Sequence, residues 1–141
     1  MVIKIKRIDS EAILPKYACE NDAGMDFFST ETILLQPNER KLISTGISMA
    51  IPLGYVGLIW DKSGIANKHG IKTMAGVIDS GYRGEVKILL HNLSTESFLI
   101  EKGHKIAQML IQPITQKEIV EVEELDLDTE RGEGGFGSTG L

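Results

Sequence analysis

The sequence predicts an all-β fold, and three features support this prediction. Apolar residues alternate with polar residues along most of the chain, which is the period of a strand with one buried face. Clusters of Pro, Asn, Gly and Ser separate these runs at short intervals, as turns do. No window has the spacing of an amphipathic helix of three or more turns, and only residues 63–69 could form a helical turn. Many short strands joined by turns are typical of a sandwich, a jelly roll or a barrel.

The predicted strands follow one another along the chain. The first run, residues 2–8, alternates apolar residues with Lys and Arg, and residues 55–60 are rich in aromatic and branched side chains. Taken in order, the strands are expected at 2–8, 32–35, 47–51, 55–60, 86–91, 98–100, 105–111 and 119–123. Turn residues lie between them at 36–39, 52–54, 80–81 and 101–103.

Length and composition indicate one globular domain. The chain has 141 residues, of which 42% are apolar and 25% are charged, the balance of an ordinary folded protein. From about residue 121 the chain becomes acidic and then rich in glycine. We therefore expect a folded domain over residues 1–124 and a mobile arm over residues 125–141.

Charge, cysteine content and hydropathy restrict the classes of function. A net charge of −5 does not favour a general nucleic-acid-binding surface, so any anionic ligand must be held by a local cluster of donors. The single cysteine, Cys19, cannot form an intrachain disulfide, which fits a reducing compartment, and we interpret it as a bystander thiol. The N-terminal run is charged, unlike a signal peptide, and no stretch reaches the ~20 apolar residues of a membrane span. These features predict a soluble cytoplasmic protein that binds neither nucleic acid nor membrane.

The stretch R-G-E-G-G-F-G-S-T-G, residues 131–140, is half glycine but also carries a cation, an aromatic ring and two hydroxyls. Glycine loses the most conformational entropy on ordering, so this stretch should not order by itself. Ser138 stands where a P-loop has its lysine, which argues against a P-loop. Phosphate binding remains possible, because glycines expose backbone N–H groups, Arg131 can hold a phosphate and Phe136 can stack on a flat ring. The alternative is a chain end without a ligand.

Two further stretches offer polar groups to a ligand. In D-K-S-G, residues 61–64, Lys62 and Ser63 follow a hydrophobic strand and could bind phosphate, since strand-end loops present functional groups. In G-H-K-I-A-Q, residues 103–108, the Gln108 amide could orient a water or a phosphate. The alternative for residues 61–64 is a polar turn without a ligand. The alternative for Gln108 is an ordinary glutamine in a strand.

The remaining two stretches carry carboxylates. A-G-M-D-F, residues 23–27, contains a glycine that suits a turn, followed by Asp26. A-G-V-I-D-S-G-Y-R-G-E, residues 75–85, predicts a β-hairpin with Asp79 and Tyr82 near its tip. A carboxylate in that position can act as a general base for water, and a tyrosine ring can pack against a sugar. The alternative for the second stretch is an exposed hairpin without a function.

Together and in this order, the five stretches resemble the five motifs of the trimeric dUTPase family, and the resemblance spans residues 23–140. It implies a jelly-roll (β-clip-like) subunit, a homotrimer and active sites at the subunit boundaries. It also implies hydrolysis of dUTP to dUMP and pyrophosphate, which limits uracil in DNA and supplies dUMP for dTMP synthesis. The implied cofactor is Mg2+, held mainly by the triphosphate and water. The absence of histidines at metal-ligand spacing in the sequence fits such a metal.

The resemblance further implies a role for each matching residue. Asp79 would be the base that activates water for attack on the α-phosphate, and Gln108 would help to place the water or the phosphates. Tyr82 would pack on the deoxyribose and exclude a 2'-hydroxyl, and Asp26 would support the phosphate and metal region. The remaining residues implied to bind substrate are Lys62, Ser63 and Gly64 for the phosphates and Gly76, Val77 and Ile78 for the uracil edge. Those implied in the C-terminal arm are Arg131, Phe136, Gly137, Ser138 and Thr139. The resemblance favours closure of this arm over the active site of a neighbouring subunit.

This chain departs from the family pattern at two positions. Lys62 stands where the family usually has Arg, which keeps the charge but loses the planar fork. Thr73 stands where many members have Asn. We expect phosphate binding to persist with an altered geometry.

Three rival functions stand beside dUTP hydrolysis. The related dCTP deaminases have a catalytic Glu about ten residues after the third-motif Asp, where this chain has Leu89. The second rival is a non-enzymatic dUTP sensor that signals to a partner. The third is a structural or carbohydrate-binding jelly roll, which shares the fold class but does not explain the five stretches.

Overall fold

The structure, a computed structural model, describes residues 2–125, 129–130 and 132–134. Within these ranges the chain is nearly all β, with one short helix, α1 (Ser63–His69). No helix in them is long and apolar enough to cross a membrane. The strands are β1 (Lys4–Arg7), β2 (Gly24–Phe28), β3 (Ile33–Leu35), β4 (Arg40–Ile43), β5 (Ile47–Ala50), β6 (Tyr55–Trp60), β7 (Ile71–Met74), β8 (Val77–Ile78), β9 (Ile88–Asn92), β10 (Phe98–Ile100) and β11 (Lys105–Pro113).

The strands pair in four antiparallel groups. The largest sheet has the order β2-β11-β6-β8, and a second sheet has the order β4-β9-β7. Strand β1 pairs with β5, and β10 pairs with β3. Sequence neighbours are rarely sheet neighbours, as expected for a jelly roll. The predicted all-β, jelly-roll fold class is confirmed.

One apolar cluster joins the two larger sheets. Phe27 and Met109 from the four-stranded sheet, and Ile43 and Leu90 from the three-stranded sheet, are fully buried. In β4, β9 and β11 the residues beside these side chains are more exposed, because the pleat turns every second side chain inward. Strand β2 differs, since it is buried from Met25 to Phe28. Leu90 and Met109 lie in strands that the sequence predicted, whereas Phe27 and Ile43 lie in β2 and β4, which it did not.

Most of the sequence-predicted elements are present. Residues 55–60 and 98–100 coincide with β6 and β10, and the helical turn expected at residues 63–69 is α1. Strands β2, β4 and β7 were not predicted, and β2 was missed because its first residue, Gly24, was interpreted as part of a turn. Strand β8 lies in the first arm of the hairpin predicted at residues 75–85.

The strand predicted at residues 119–123 is wrong. The chain forms no strand from residue 114 to residue 125, and Ile119 and Val122 are 96% and 55% exposed. The alternating pattern is that of a strand, but a strand needs a partner for its backbone hydrogen bonds. Within the described part of this single chain, residues 119–123 pair with no other strand.

The β-hairpin predicted at residues 75–85 is only partly correct. Its turn is present, since the Tyr82 N–H donates to the Asp79 carbonyl at 3.0 Å. The two arms do not pair with each other, because β8 pairs with β6 while Glu85 forms a bridge to Ser48. The chain thus crosses from one sheet to another at this turn instead of folding back on itself.

Candidate active site

The loop after β6 presents Lys62, Ser63 and Gly64 at the start of α1. Lys62 occupies the N-cap position with extended backbone (φ −84°, ψ 115°) and makes no side-chain capping bond. Ser63 and Gly64 are exposed and belong to the first turn, whose N–H groups have no carbonyl partner within the helix. The loop therefore offers an ammonium group, a hydroxyl and backbone donors within three consecutive residues.

Asp61 fixes the start of this loop. Its Oδ1 accepts hydrogen bonds from the Thr73 N–H at 2.7 Å and the Thr73 hydroxyl at 2.6 Å, and Lys72 Nζ lies 2.8 Å from Oδ2. Burial raises the pKa of Asp61, but the hydrogen bonds from Lys72 and Thr73 outweigh it and leave the pKa below its usual value. This role of Asp61 was not predicted from the sequence. The Thr73 hydroxyl donates its hydrogen bond to Asp61.

Asp26 is a buried carboxylate between two lysines. Lys62 Nζ lies 2.6 Å from Oδ1 and Lys105 Nζ lies 2.7 Å from Oδ2, while the Asp26 side chain is only 2% exposed. Burial raises the pKa of Asp26, but the ammonium groups of Lys105 and Lys62 more than offset this and lower it. Asp26 is therefore ionised at neutral pH, and it holds the Lys62 side chain in place.

Gln108 lies opposite Asp26 on the neighbouring strand. Its Nε2 donates to the Asp61 carbonyl at 2.8 Å, which ties β11 to the loop after β6. Gly24, which the sequence analysis assigned to a turn, instead begins β2 and provides space, since a Cβ there would collide with Gln108 Oε1 and lie 3.0 Å from Cδ. Asp26, Lys62, Gln108 and Gly24 line one cavity of about 440 Å3, which we call the lysine cavity.

A second cavity, of about 390 Å3, is lined by Asp79, Tyr82, Val77 and Ile78 together with Leu42, Glu85 and Lys87. We call it the turn cavity. Asp79 is exposed at its rim. The Tyr82 hydroxyl donates to the Glu85 carbonyl at 2.9 Å, which fixes the ring. The turn cavity therefore combines an accessible carboxylate, an oriented ring and a short strand.

The backbone before β8 is held in an unusual conformation. Gly76 has φ 104°, a region that side chains rarely adopt, and its carbonyl accepts the Ile59 N–H at 2.8 Å. A Cβ on Gly76 would also lie 3.0 Å from Ile59 Cβ and 3.1 Å from the Ile59 carbonyl oxygen. Glycine is required here for both reasons, and it sets the position of Val77 and Ile78.

The two cavities lie apart in one chain. The β6–β8 register places Ile78 opposite Gly57, so that Asp79 is level with Val56. Lys62 follows six residues further along the chain, which corresponds to about 20 Å along a strand. The structure thus brings Asp26, Lys62 and Gln108 together and places Asp79 and Tyr82 elsewhere. Arg131, Phe136, Gly137, Ser138 and Thr139 lie outside the described residues.

The family model for dUTPase matches residues 10–140. The chain belongs to the dUTPase family. It is 58% identical to the deoxyuridine 5'-triphosphate nucleotidohydrolase of Clostridium kluyveri, with 99% of each chain covered.

Solved structures of dUTPases have the same fold as this family member. The Staphylococcus bacteriophage 80alpha dUTPase with dUpNHpp superposes with a TM-score of 0.90 at 35% identity over 99% of each chain. A variant dUTPase from phage phi11 of S. aureus, whose structure reveals the coordination of a structural Mg(II) ion, has a TM-score of 0.84 at 30% identity, covering 89% of this chain and 99% of that one. Residues of the stretches 23–27, 61–64 and 103–108 line the lysine cavity, and residues of the stretch 75–85 line the turn cavity.

Proposed function

We propose that this chain hydrolyses dUTP to dUMP and pyrophosphate by attack of water on the α-phosphate. Its membership of the dUTPase family supports dUTP hydrolysis. The observation that carries the proposal is that all four motifs within the described residues face one of two cavities, one with phosphate-binding groups and one with a carboxylate and a ring. The deaminase alternative is not favoured, because Leu89 in β9 has no acid–base chemistry.

Asp79 is the proposed general base. It is exposed at the rim of the turn cavity, and the turn hydrogen bond from Tyr82 fixes its backbone. A carboxylate held on a rigid turn can take the proton of a bound water as the oxygen attacks phosphorus. Arg83 stabilises this turn further, since its Nη1 donates to the carbonyls of Ser80 at 2.6 Å and Tyr82 at 2.7 Å.

The backbone of β8 is proposed to read the uracil edge. Strand β8 is the last strand in its sheet order and, within the described residues, pairs only with β6, so the backbone groups of its other edge have no strand partner. Val77 and Ile78 line the turn cavity, where such groups could meet a ligand. Gly76, Val77 and Ile78 would supply these groups, and the fixed ring of Tyr82 would pack on the deoxyribose. A 2'-hydroxyl would then have no room, which separates dUTP from UTP.

The lysine cavity is proposed to bind the triphosphate. Lys62, Ser63 and Gly64 would contact phosphate oxygens, and Gln108 would place a phosphate or the attacking water. Charge that accumulates on the leaving pyrophosphate is stabilised by such fixed donors, which is the main protein contribution in phosphoryl transfer. Asp26 supports this site by orienting Lys62.

The site is proposed to form between subunits of a homotrimer. A separation of about 20 Å along the strands keeps Asp79 and Lys62 of one chain from sharing one α-phosphate. Placing the turn cavity of one copy against the lysine cavity of another would join base, uracil site and phosphate site. The exposed apolar side chains of Ile119 and Val122 are available for contact with a neighbouring subunit.

The arm at residues 125–141 is proposed to complete the site. Arg131 would hold the terminal phosphates and Phe136 would cover the uracil, while Gly137, Ser138 and Thr139 would wrap the triphosphate. An arm that closes over bound nucleotide would exclude bulk solvent while the attacking water stays enclosed at the α-phosphate.

Mg2+ is the proposed cofactor. The cytoplasm is the proposed location of the reaction. The described residues contain no group of three His, Cys, Asp or Glu placed to hold a metal, and both Asp26 oxygens face lysines. These residues fit a metal that arrives with the nucleotide, since Mg2+ commonly keeps waters and binds substrate phosphates. When bound, it would neutralise charge on the triphosphate, and Asp26 would support the phosphate and metal region through the lysines that it holds.

Pyrophosphate release tests the proposed function. The purified protein is incubated with Mg2+ and, separately, dUTP, dCTP, dTTP and UTP. Release is expected from dUTP, and at least about a hundredfold more slowly from the other three. Ammonia release from dCTP would instead indicate a deaminase, and binding of dUTP without turnover would indicate a sensor.

A further inference from the structure

We propose that Lys105 is a positioning residue that makes the charge of Lys62 available to the triphosphate. Lys105 does this by neutralising Asp26 through Oδ2, although Lys105 itself is not among the residues that line the lysine cavity. The inference rests on the proposed role of the lysine cavity in phosphate binding, and it assigns a function to a residue that no motif argument singled out.

A β-bulge directs Lys105 toward Asp26. In the β2–β11 ladder, Gln108 pairs with Asp26 and Ala107 pairs with Phe27, but the next pair is Lys105 with Phe28. The register shift skips Ile106, which is buried. Residues alternate between the two faces of a strand, so without the bulge Lys105 would point to the face opposite Gln108. The bulge places it on the same face as Asp26, as bulges beside active sites commonly do.

The two lysines share one carboxylate from opposite sides. Lys62 Nζ contacts Oδ1 at 2.6 Å and Lys105 Nζ contacts Oδ2 at 2.7 Å. With Lys62 alone, the buried pair would be neutral, and its attraction for phosphate would be largely cancelled. One carboxylate between two ammonium groups has a net charge of +1, which remains for the ligand.

The remaining charges of the cavity make this neutralisation necessary. The charged residues that line it are Asp22, Asp26, Asp61 and Lys62, so the lining itself is net negative. Lys72 pairs with Asp61 from outside the lining, just as Lys105 pairs with Asp26. A triphosphate would be repelled by the lining unless these outer lysines offset it.

The experiment compares Lys105→Met and Lys105→Arg with Lys102→Met as a matched control. Lys102 is a similarly exposed lysine three residues earlier, and it pairs with Glu11 instead of Asp26. Affinity for dUpNHpp with Mg2+ is measured by calorimetry, and kcat and KM are measured for dUTP. Lys105→Met should weaken dUpNHpp binding and raise KM about tenfold, the size of one charge-assisted hydrogen bond. The kcat should change by less than about threefold, and Lys105→Arg and Lys102→Met should resemble wild type.

A double-mutant cycle separates this role from a purely structural one. Loss of Lys105 leaves a buried oxygen of Asp26 without its partner, so Lys105→Met alone is destabilised. Asp26→Asn removes that charge, and Lys105→Met added to it should weaken dUpNHpp binding by less than about threefold. Wild-type affinity in Lys105→Met, or an equal loss in both backgrounds, would overturn the proposal. If wild type itself neither binds dUpNHpp nor hydrolyses dUTP, the proposed function fails instead.

Discussion

The Gln108 Nε2 donates a 2.8 Å hydrogen bond to the main-chain carbonyl of Asp61. This bond joins the stretch at residues 103–108 to Asp61, the residue directly before Lys62. The Asp61 carboxylate is itself held by Thr73 and Lys72. The loop proposed to bind phosphate is therefore fixed from two strands, β11 and β7, and changes to either strand are expected to alter turnover.

Gly24→Ala is expected to lower kcat/KM for dUTP at least about tenfold by displacing the Gln108 amide. A Cβ on Gly24 would collide with Gln108 Oε1, whereas the backbone at Gly24 is that of an ordinary strand. Steady-state kinetics provide the measurement, with Gln108→Ala as the reference background. Gly24→Ala should add little to Gln108→Ala, and an additive loss would show that the glycine acts by another route.

Asp61→Asn is expected to destabilise the fold in a pH-dependent manner. The folded-state pKa of Asp61 lies below its usual value, so the stabilisation is present above the unfolded pKa and is lost as pH falls through the folded one. Urea unfolding of wild type and variant should differ at pH 7, and the difference should shrink as pH falls below about 4. A difference that is constant with pH would mean that the Asp61 charge is not the stabilising group.

Tyr82 variants are expected to separate ring packing from hydroxyl bonding. Tyr82→Phe loses only the 2.9 Å bond to the Glu85 carbonyl, so it should retain discrimination against UTP with a modest loss of kcat/KM. Tyr82→Ala loses the ring and should accept UTP more readily relative to dUTP. The ratio of kcat/KM values for the two nucleotides is the measurement, and an unchanged ratio in Tyr82→Ala would exclude the ring from sugar selection.

Deletion of residues 131–141 is expected to leave a folded trimer with a collapsed kcat/KM. The deletion removes the ring and donors proposed to cover the nucleotide and none of the core residues in the described part of the chain. Light scattering and thermal unfolding measure assembly and folding, and pyrophosphate release measures activity. Loss of the trimer or of the fold would make the arm structural, and full activity would remove it from the site.

Part of this arrangement could be predicted from the sequence. Lys62, Asp79 and Tyr82 lie in short stretches that local sequence identifies as candidate sites. The turn that presents Asp79 is present as predicted. Aromatic and branched residues predicted β6, and alternation predicted the strand that carries Leu90, because burial on one strand face leaves a period of two. Strands β2 and β4, which carry the core residues Phe27 and Ile43, were not predicted.

The rest depends on contacts between residues distant in sequence. The role of Asp61 depends on Thr73, which lies on another strand, and that of Lys105 depends on a bulge that no periodicity reveals. The pairing of β8 with β6 instead of with its sequence neighbour comes from the jelly-roll topology. The strand pattern at residues 119–123 has no partner within the described chain, and local sequence does not identify one.

The most direct test of the proposed mechanism is the Asp79→Asn variant, compared with wild type for dUpNHpp binding and for turnover of dUTP with Mg2+. The amide keeps the size and hydrogen-bonding shape of the carboxylate but cannot take a proton from water. We expect near-normal dUpNHpp affinity and a fall in kcat of about 10² or more, the usual contribution of a general base. A near-normal kcat in Asp79→Asn would contradict the assignment of Asp79 as the base.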